Sequence, residues 1–199
     1  GIGVTTLLAF YGCTLNCAYC IINECLEKGN SFSDSLVRAS YSPEELITVL
    51  KKDEIYYLMS GGGIVFGGGE PLLQSNYIHE VCRLANPKWN IRVETSLNVP
   101  WENIEALIGD IDEWIIDIKD MNEDIYKMYT GKPITRMKKN LLKLKEFVPI
   151  KKLHIRIPRI EGYNSEEDIQ YSANWILENI GVKAEIFSYL VLPHTANKR

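Results

Sequence analysis

The chain's 199 residues, 46% hydrophobic and 24% charged, have the size and balance of one globular domain, which sets aside long disorder, collagen and coiled coil. A net charge of -4 leaves no overall positive field for wrapping nucleic acid. No run approaches the ~18 apolar residues of a membrane span, and the first basic residue is Lys28, too late for the charged start of a secretory signal. The expectation is a cytoplasmic protein with neither a membrane nor a nucleic-acid partner, and the opening Gly1 fits a chain trimmed at its termini.

Thr5 to Tyr11 is β-branched and aromatic and stops at Gly12, so it reads as a strand delivering the chain to Cys13, Cys17 and Cys20, spaced CxxxCxxC. With Cys25 these make four cysteines in thirteen residues, while Cys82 lies apart in an amphipathic pattern and reads as core. Reduced cysteines this dense point to metal or redox chemistry. A compact loop turns three thiolates toward one point. A structural zinc site takes four ligands, usually as two separated CxxC pairs, whereas a four-iron cubane on three thiolates keeps one iron open. The alternative is a zinc site with Cys25 as fourth ligand.

Ser42-Pro43-Glu44-Glu45 supplies an N-cap, a first-turn proline and a capping glutamate for a helix over Pro43 to Leu58, ended by Gly61-Gly62-Gly63. Ile64 to Phe66 is a short strand running into Gly67-Gly68-Gly69-Glu70-Pro71, and Leu72 to Leu84 has helical spacing. The alternation continues with strand Ile91 to Glu94, helix Trp101 to Gly109, strand Trp114 to Lys119 and helical material from Asn122 through Phe147. Strand Leu153 to Ile157, helix Ser165 to Ile180 and strand Ala184 to Leu190 complete it. Six strands alternating with helices predict right-handed βαβ units around a parallel sheet. At roughly 30 residues per unit of a barrel that takes about 250, the chain holds six to seven units. The fold class is therefore α/β, a partial (β/α)6 TIM-like barrel in a single domain, with a doubly wound sheet as the alternative.

Gly68 and Gly69 let backbone approach a ligand closely, and Glu70 offers a carboxylate to an ammonium. Glu94-Thr95 and Asp117-x-Lys119 sit at the C-terminal ends of the third and fourth strands, where barrel enzymes place their sites. Asp117 and Lys119 share a face by the period-two rule, as do His154 and Arg156. Surface ion pairs, and for Arg156 an outward-facing side chain, are the competing readings. The basic stretch from Lys132 to Lys152, interleaved with Leu141, Leu142, Leu144 and Phe147, reads as the solvated face of an amphipathic helix. His79, in a charged helical pattern, reads as a surface residue.

The cysteine motif with Tyr19 before its last cysteine, Gly61 through Gln74, Asp117-Ile118-Lys119-Asp120-Met121, and Ile155-Arg156-Ile157-Pro158 with Gly162-Tyr163-Asn164 together resemble the radical S-adenosylmethionine superfamily, and more narrowly its glycyl-radical enzyme activating enzymes. The likeness spans nearly all of residues 1–199 and implies one core domain without a ferredoxin-like insertion. It implies one four-iron cluster on Cys13, Cys17 and Cys20, and S-adenosylmethionine cleaved to a 5′-deoxyadenosyl radical. Gly68, Gly69 and Glu70 would form the amino-group site and Tyr19 would lie near the adenine. Glu94, Thr95, Asp117 and Lys119 would lie near the methionine carboxylate, the ribose or an associated monovalent cation, and Arg156 near the ligand or the target peptide. His194 would contact the ligand, although it stands one residue earlier than the family's Leu-Pro-Tyr-His pattern. The chain also has Gly67 where the family usually has Ser, and Glu94 where relatives often have Asp. The partners implied are a glycyl-radical enzyme as protein substrate and an electron donor such as flavodoxin or ferredoxin.

Overall fold

Six parallel strands pair strictly in chain order, β1 (Thr5–Phe10), β2 (Gly63–Gly68), β3 (Asn90–Thr95), β4 (Glu113–Asp117), β5 (Leu153–Arg159) and β6 (Glu185–Ser188). This computed structural model describes residues 3–20 and 40–188; Cys25, His194 and the last residues of the sixth expected strand lie outside them. A doubly wound sheet would reverse its order partway, and this one does not, so the partial barrel stands and the alternative falls. Among the described residues β1 pairs only with β2 and β6 only with β5.

The helices follow the local chemistry of the chain. Ser42 accepts from the Glu45 backbone and Glu45 reaches back to Ser42, closing a capping box on α1 (Pro43–Leu50). The single helix expected over Pro43 to Leu58 is two, because a 3-10 turn at Lys51–Asp53 separates α1 from α2 (Glu54–Ser60). A 3-10 turn, Pro71–Gln74, leads into α3 (Ser75–Leu84), and α4 is short (Trp101–Glu105). Asn122 through Phe147 also splits, into α5 (Glu123–Thr130) and α6 (Thr135–Phe147), at Gly131 with φ 70° and Pro133. A second capping box, Ser165 with Asp168, starts α7 (Glu166–Ile180). The apolar stripe of α6, Met137, Leu141 and Leu144, is buried and its Arg136, Lys139 and Lys145 are exposed. Among the described residues no helix is long and apolar enough to cross a membrane.

Period two assigns the two faces of the sheet. Ile64, Phe66, Val93, Trp114, Ile116, Ile155 and Ile157 are wholly buried and belong to the main core. The other face is polar and layered. In its lower layer Arg92 Nε lies 2.9 Å from Glu113 Oε2 and 2.6 Å from Asn90 Oδ1. His154 lies 3.2 Å from Glu113 and 2.6 Å from Glu185, so charges and dipoles run unbroken from β3 to β6. The upper layer of the same face is the candidate site.

Candidate active site

Two residues beyond β1, Gly12 with its φ of 85° turns the chain into the cysteine loop. That loop is fastened at two points to the end of α5, by Asn16 N donating to Thr130 O at 2.9 Å and Ala18 N to Tyr129 O at 3.0 Å. Leu15, just before the first of them, plugs into the core. The glycine turn after β2 is fastened to the same stretch, with Gly69 N donating to Phe10 O at 2.9 Å and Glu70 N to Gly12 O at 2.7 Å. A Cβ on Gly69 would lie 2.2 Å from Gly12 O, so only glycine permits this contact. The close backbone approach visible here is thus between the ends of β1 and β2.

A cavity of about 310 Å3 opens at these strand ends. Cys13, Cys17 and Cys20 line one wall with Gly68 and Gly69, and Glu94, Thr95, Asp117, Lys119 and Arg156 line the others. The structure therefore gathers ten of the residues singled out in the sequence around one volume. Register explains the polar wall: Asp117 stands opposite Arg156 across β4 and β5. Arg156 Nε donates to Asp117 Oδ1 at 2.8 Å, Lys119 Nζ to Asp117 Oδ2 at 3.1 Å, and the second guanidinium arm reaches Glu94. Arg156 also lies over the Phe187 ring, 5.5 Å from its centroid. It faces the cavity, which settles the choice between inward and outward orientations. Burial raises the Asp117 carboxyl, but Lys119 and Arg156 outweigh it and hold the group below its ordinary range. Both carboxylates that a bound cation would use are already committed to these two basic groups, so the geometry lends the expected monovalent cation no support.

Glu70 and Tyr19 stand behind the wall. The Glu70 carboxylate is 1% exposed and accepts from Thr95 Oγ1 at 2.7 Å, Ser96 Oγ at 2.6 Å, Ser96 N at 3.0 Å and Leu72 N at 3.4 Å. Burial pushes its pKa up against those four bonds. Tyr19 packs edge-on against Tyr163 and Tyr129 at 5.5 Å and 6.3 Å between ring centroids, in a small cluster with Ile160. A Cβ on Gly67 would meet Leu7 Cδ1 at 3.0 Å and Glu94 Oε2 at 3.4 Å. The two departures from the family pattern are therefore neighbours, and the missing side chain at 67 leaves room for the longer acid at 94.

The thiols suit a metal group and are poor sites for bare negative charge. Burial pushes Cys17 up to about 12 and raises Cys13; Cys13 and Cys20 both oppose ionisation of Cys17, and Cys20 opposes that of Cys13. Three neighbouring thiolates require a positive partner, which iron supplies. Among the described residues no group of three His, Cys, Asp or Glu side chains could hold a metal ion, whereas a cubane gives each thiolate its own iron. The donor set fits a cluster.

Several contributors were not singled out in the sequence. Ser96 and Phe187 line the cavity, and both were accessible to the strand-end and period-two rules. Asn140 was not: its Nδ2 donates to Leu97 O and Val99 O, both at 2.8 Å, from a helix more than forty residues away. It steadies a turn in which Leu97 holds φ 56°, the only positive value outside glycine among the described residues. Asn140→Leu should leave two buried carbonyls unpaired and cost about 2–4 kcal/mol in denaturant unfolding, at ~1–3 kcal/mol per orphaned group. His79 is paired with Asp110 at 2.7 Å on a partly exposed surface, away from the cavity.

Comparison with known proteins gives a consistent answer. A family model described as the Radical SAM superfamily matches residues 7–176. The chain is 35% identical over 153 residues to the (2S)-3-sulfopropanediol dehydratase activating enzyme of Klebsiella oxytoca, covering 76% of this chain and 48% of that protein. It is 30% identical over 196 residues to the pyruvate formate-lyase-activating enzyme of Clostridium pasteurianum, covering 96% of this chain and 78% of that one. Among solved structures, Streptococcus suis SuiB bound to S-adenosylmethionine superposes with a TM-score of 0.71 at 14% identity, over 96% of this chain and 42% of SuiB, which shows a shared fold. The chain spans about half the length of several curated relatives that it matches.

Proposed function

Because the chain belongs to the Radical SAM superfamily, we propose that it is a radical enzyme which installs a glycyl radical on a partner protein. The observation that carries this reading is the single cavity on which three cysteine thiols converge with a paired acid and base wall. Cys13, Cys17 and Cys20 would hold one four-iron cluster, and the adjoining space would take S-adenosylmethionine. Bound there, the group would supply the one-electron chemistry that cleaves the sulfonium to methionine and a 5′-deoxyadenosyl radical able to take a hydrogen atom from the substrate.

The chain's own groups bind and orient. Lys119 and Arg156, aligned by Asp117 and Glu94, offer positive charge to the methionine carboxylate, and the remaining lone pairs of the two acids accept from ribose hydroxyls. Glu70 holds Thr95 and Ser96 in place and presents the turn of Gly68 and Gly69 to the amino group. Tyr19, in its aromatic cluster, and His194 complete the adenosine side by resemblance.

Two facts support glycine as the target. Curated relatives that match most of this chain are named as activating enzymes of a dehydratase and of pyruvate formate-lyase. The sheet is unclosed between β1 and β6 among the described residues, an opening suited to an extended peptide. Glycine alone combines an unhindered α-carbon with free dihedrals. A cytoplasmic flavodoxin or ferredoxin would supply the electron. Incubating the reduced protein with S-adenosylmethionine and a candidate glycyl-radical enzyme should produce the α-hydrogen doublet of a glycyl radical in electron paramagnetic resonance. Formation of 5′-deoxyadenosine with an unrelated peptide or metabolite, and no doublet on any candidate, would establish a different radical reaction instead.

A further inference from the structure

Resting on that cluster reading, we propose that Tyr126 is a positioning residue whose phenol donates a hydrogen bond to a sulfur of the cluster held by Cys13, Cys17 and Cys20, raising its reduction potential. Tyr126 sits in α5 with 1% exposure, and its hydroxyl is buried with no hydrogen-bond partner among the described residues. Leaving such a group unpaired forfeits its hydration without replacement, and native proteins rarely do so. The missing partner is therefore something other than the described polypeptide.

The surroundings of the hydroxyl identify it. One turn beyond Tyr126, the carbonyls of Tyr129 and Thr130 hold the cysteine loop through Ala18 and Asn16, so helix and loop form one unit. Cys13 and Cys17 pack against the same buried cluster as Tyr126. The charged or ionisable groups within electrostatic reach of the phenol are Cys17, Lys119, Glu70 and Cys13. Of these, Glu70 already accepts from four donors and Lys119 only donates, so among the ionisable neighbours the cysteine sulfurs are the ones with acceptor capacity to spare. A phenol keeps its proton at neutral pH, so the group is available as a donor.

Hydrogen bonds to thiolate or sulfide stabilise the more negative, reduced cluster. Removing one should lower the ratio of reduced to oxidised cluster at a fixed potential by about tenfold, equivalent to ~59 mV for a one-electron couple. The test compares the full chain with its Tyr126→Phe variant after anaerobic reconstitution, by iron content, redox titration and electron-nuclear double resonance in H2O and D2O. The expected result is unchanged iron content, a midpoint shifted negative by that amount and loss of one exchangeable-proton coupling. Without iron, the variant should be as stable as the parent or more so, because an unpaired buried hydroxyl has gone. Equal midpoints and couplings with clusters present in both would overturn the role of Tyr126 and leave the enzyme reading intact. A variant destabilised without iron would also overturn it, since the hydroxyl would then have a partner such as buried water. Failure of both proteins to take up iron would instead remove the cluster reading, and this proposal with it.

Discussion

Replacing any one of Cys13, Cys17 or Cys20 by serine should abolish both the cluster and S-adenosylmethionine cleavage, whereas Cys25→Ser and Cys82→Ser should retain about four irons per chain and full cleavage. Two thiolates cannot hold three irons of a cubane, and a serine hydroxyl in this buried wall stays protonated and ligates poorly. Cys82 lies in α3, beside Asp110 and Asp112, and burial pushes its thiol up to about 12, so it is a packing residue. Iron analysis, visible absorbance and 5′-deoxyadenosine formation read the result. Stoichiometric zinc in place of iron, or loss of the cluster on Cys25→Ser, would overturn the assignment.

The second large effect belongs to the acids. Asp117→Ala should weaken S-adenosylmethionine binding roughly tenfold to a hundredfold with the cluster retained, at about 1.5–3 kcal/mol for charge-assisted contacts. Its loss leaves Lys119 and Arg156 without the carboxylate that aligns them. Glu70→Ala should weaken binding at least as much and also destabilise the fold, because Thr95 and Ser96 lose their acceptor. Calorimetric titration and urea unfolding of each variant separate the two effects. The pH dependence has a definite sign. Asp117 is held below its ordinary 3.8, so its stabilisation is present above about pH 3.8 and is lost as pH falls through its folded value. Asp117→Asn should flatten that acid limb.

What the sequence revealed depended on how local the signal was. The cysteine spacing, the capping box at Ser42, and the shared face of Asp117 and Lys119 all lie within a few residues of chain, and the structure shows a compact cysteine loop on one cavity, the box and the pair. Arg156 was ambiguous because alternation names two faces without saying which one is inside; the register opposite Asp117 decides it. The long helical stretch after Asn122 hid a break, since Gly131 and Pro133 compete with strong helix formers on both sides. Glu70 was visible as a carboxylate, but its partners Thr95 and Ser96 come from another strand end, 25 and 26 residues on. Asn140 and Tyr126 are ordinary helical residues by pattern, and only three-dimensional neighbourhood gives them meaning.

The charged layer beneath the cavity determines how this scaffold tolerates change. A lumen filled with aliphatic side chains accepts one swap at a time, provided volume is kept. Here Arg92 is almost fully enclosed against Glu113, which also faces His154, itself bridged to Glu185. Deleting Glu113 strands the enclosed Arg92 at a cost of about 3–5 kcal/mol, while exchanging the two together for matched apolar groups is often neutral or favourable. Variation at positions 92 and 113 is therefore correlated, whereas His154 and Glu185, half-exposed at the end of the layer, can change singly at little cost. A lineage or a designer crosses to an apolar lumen here only by recoding the enclosed pair as one block.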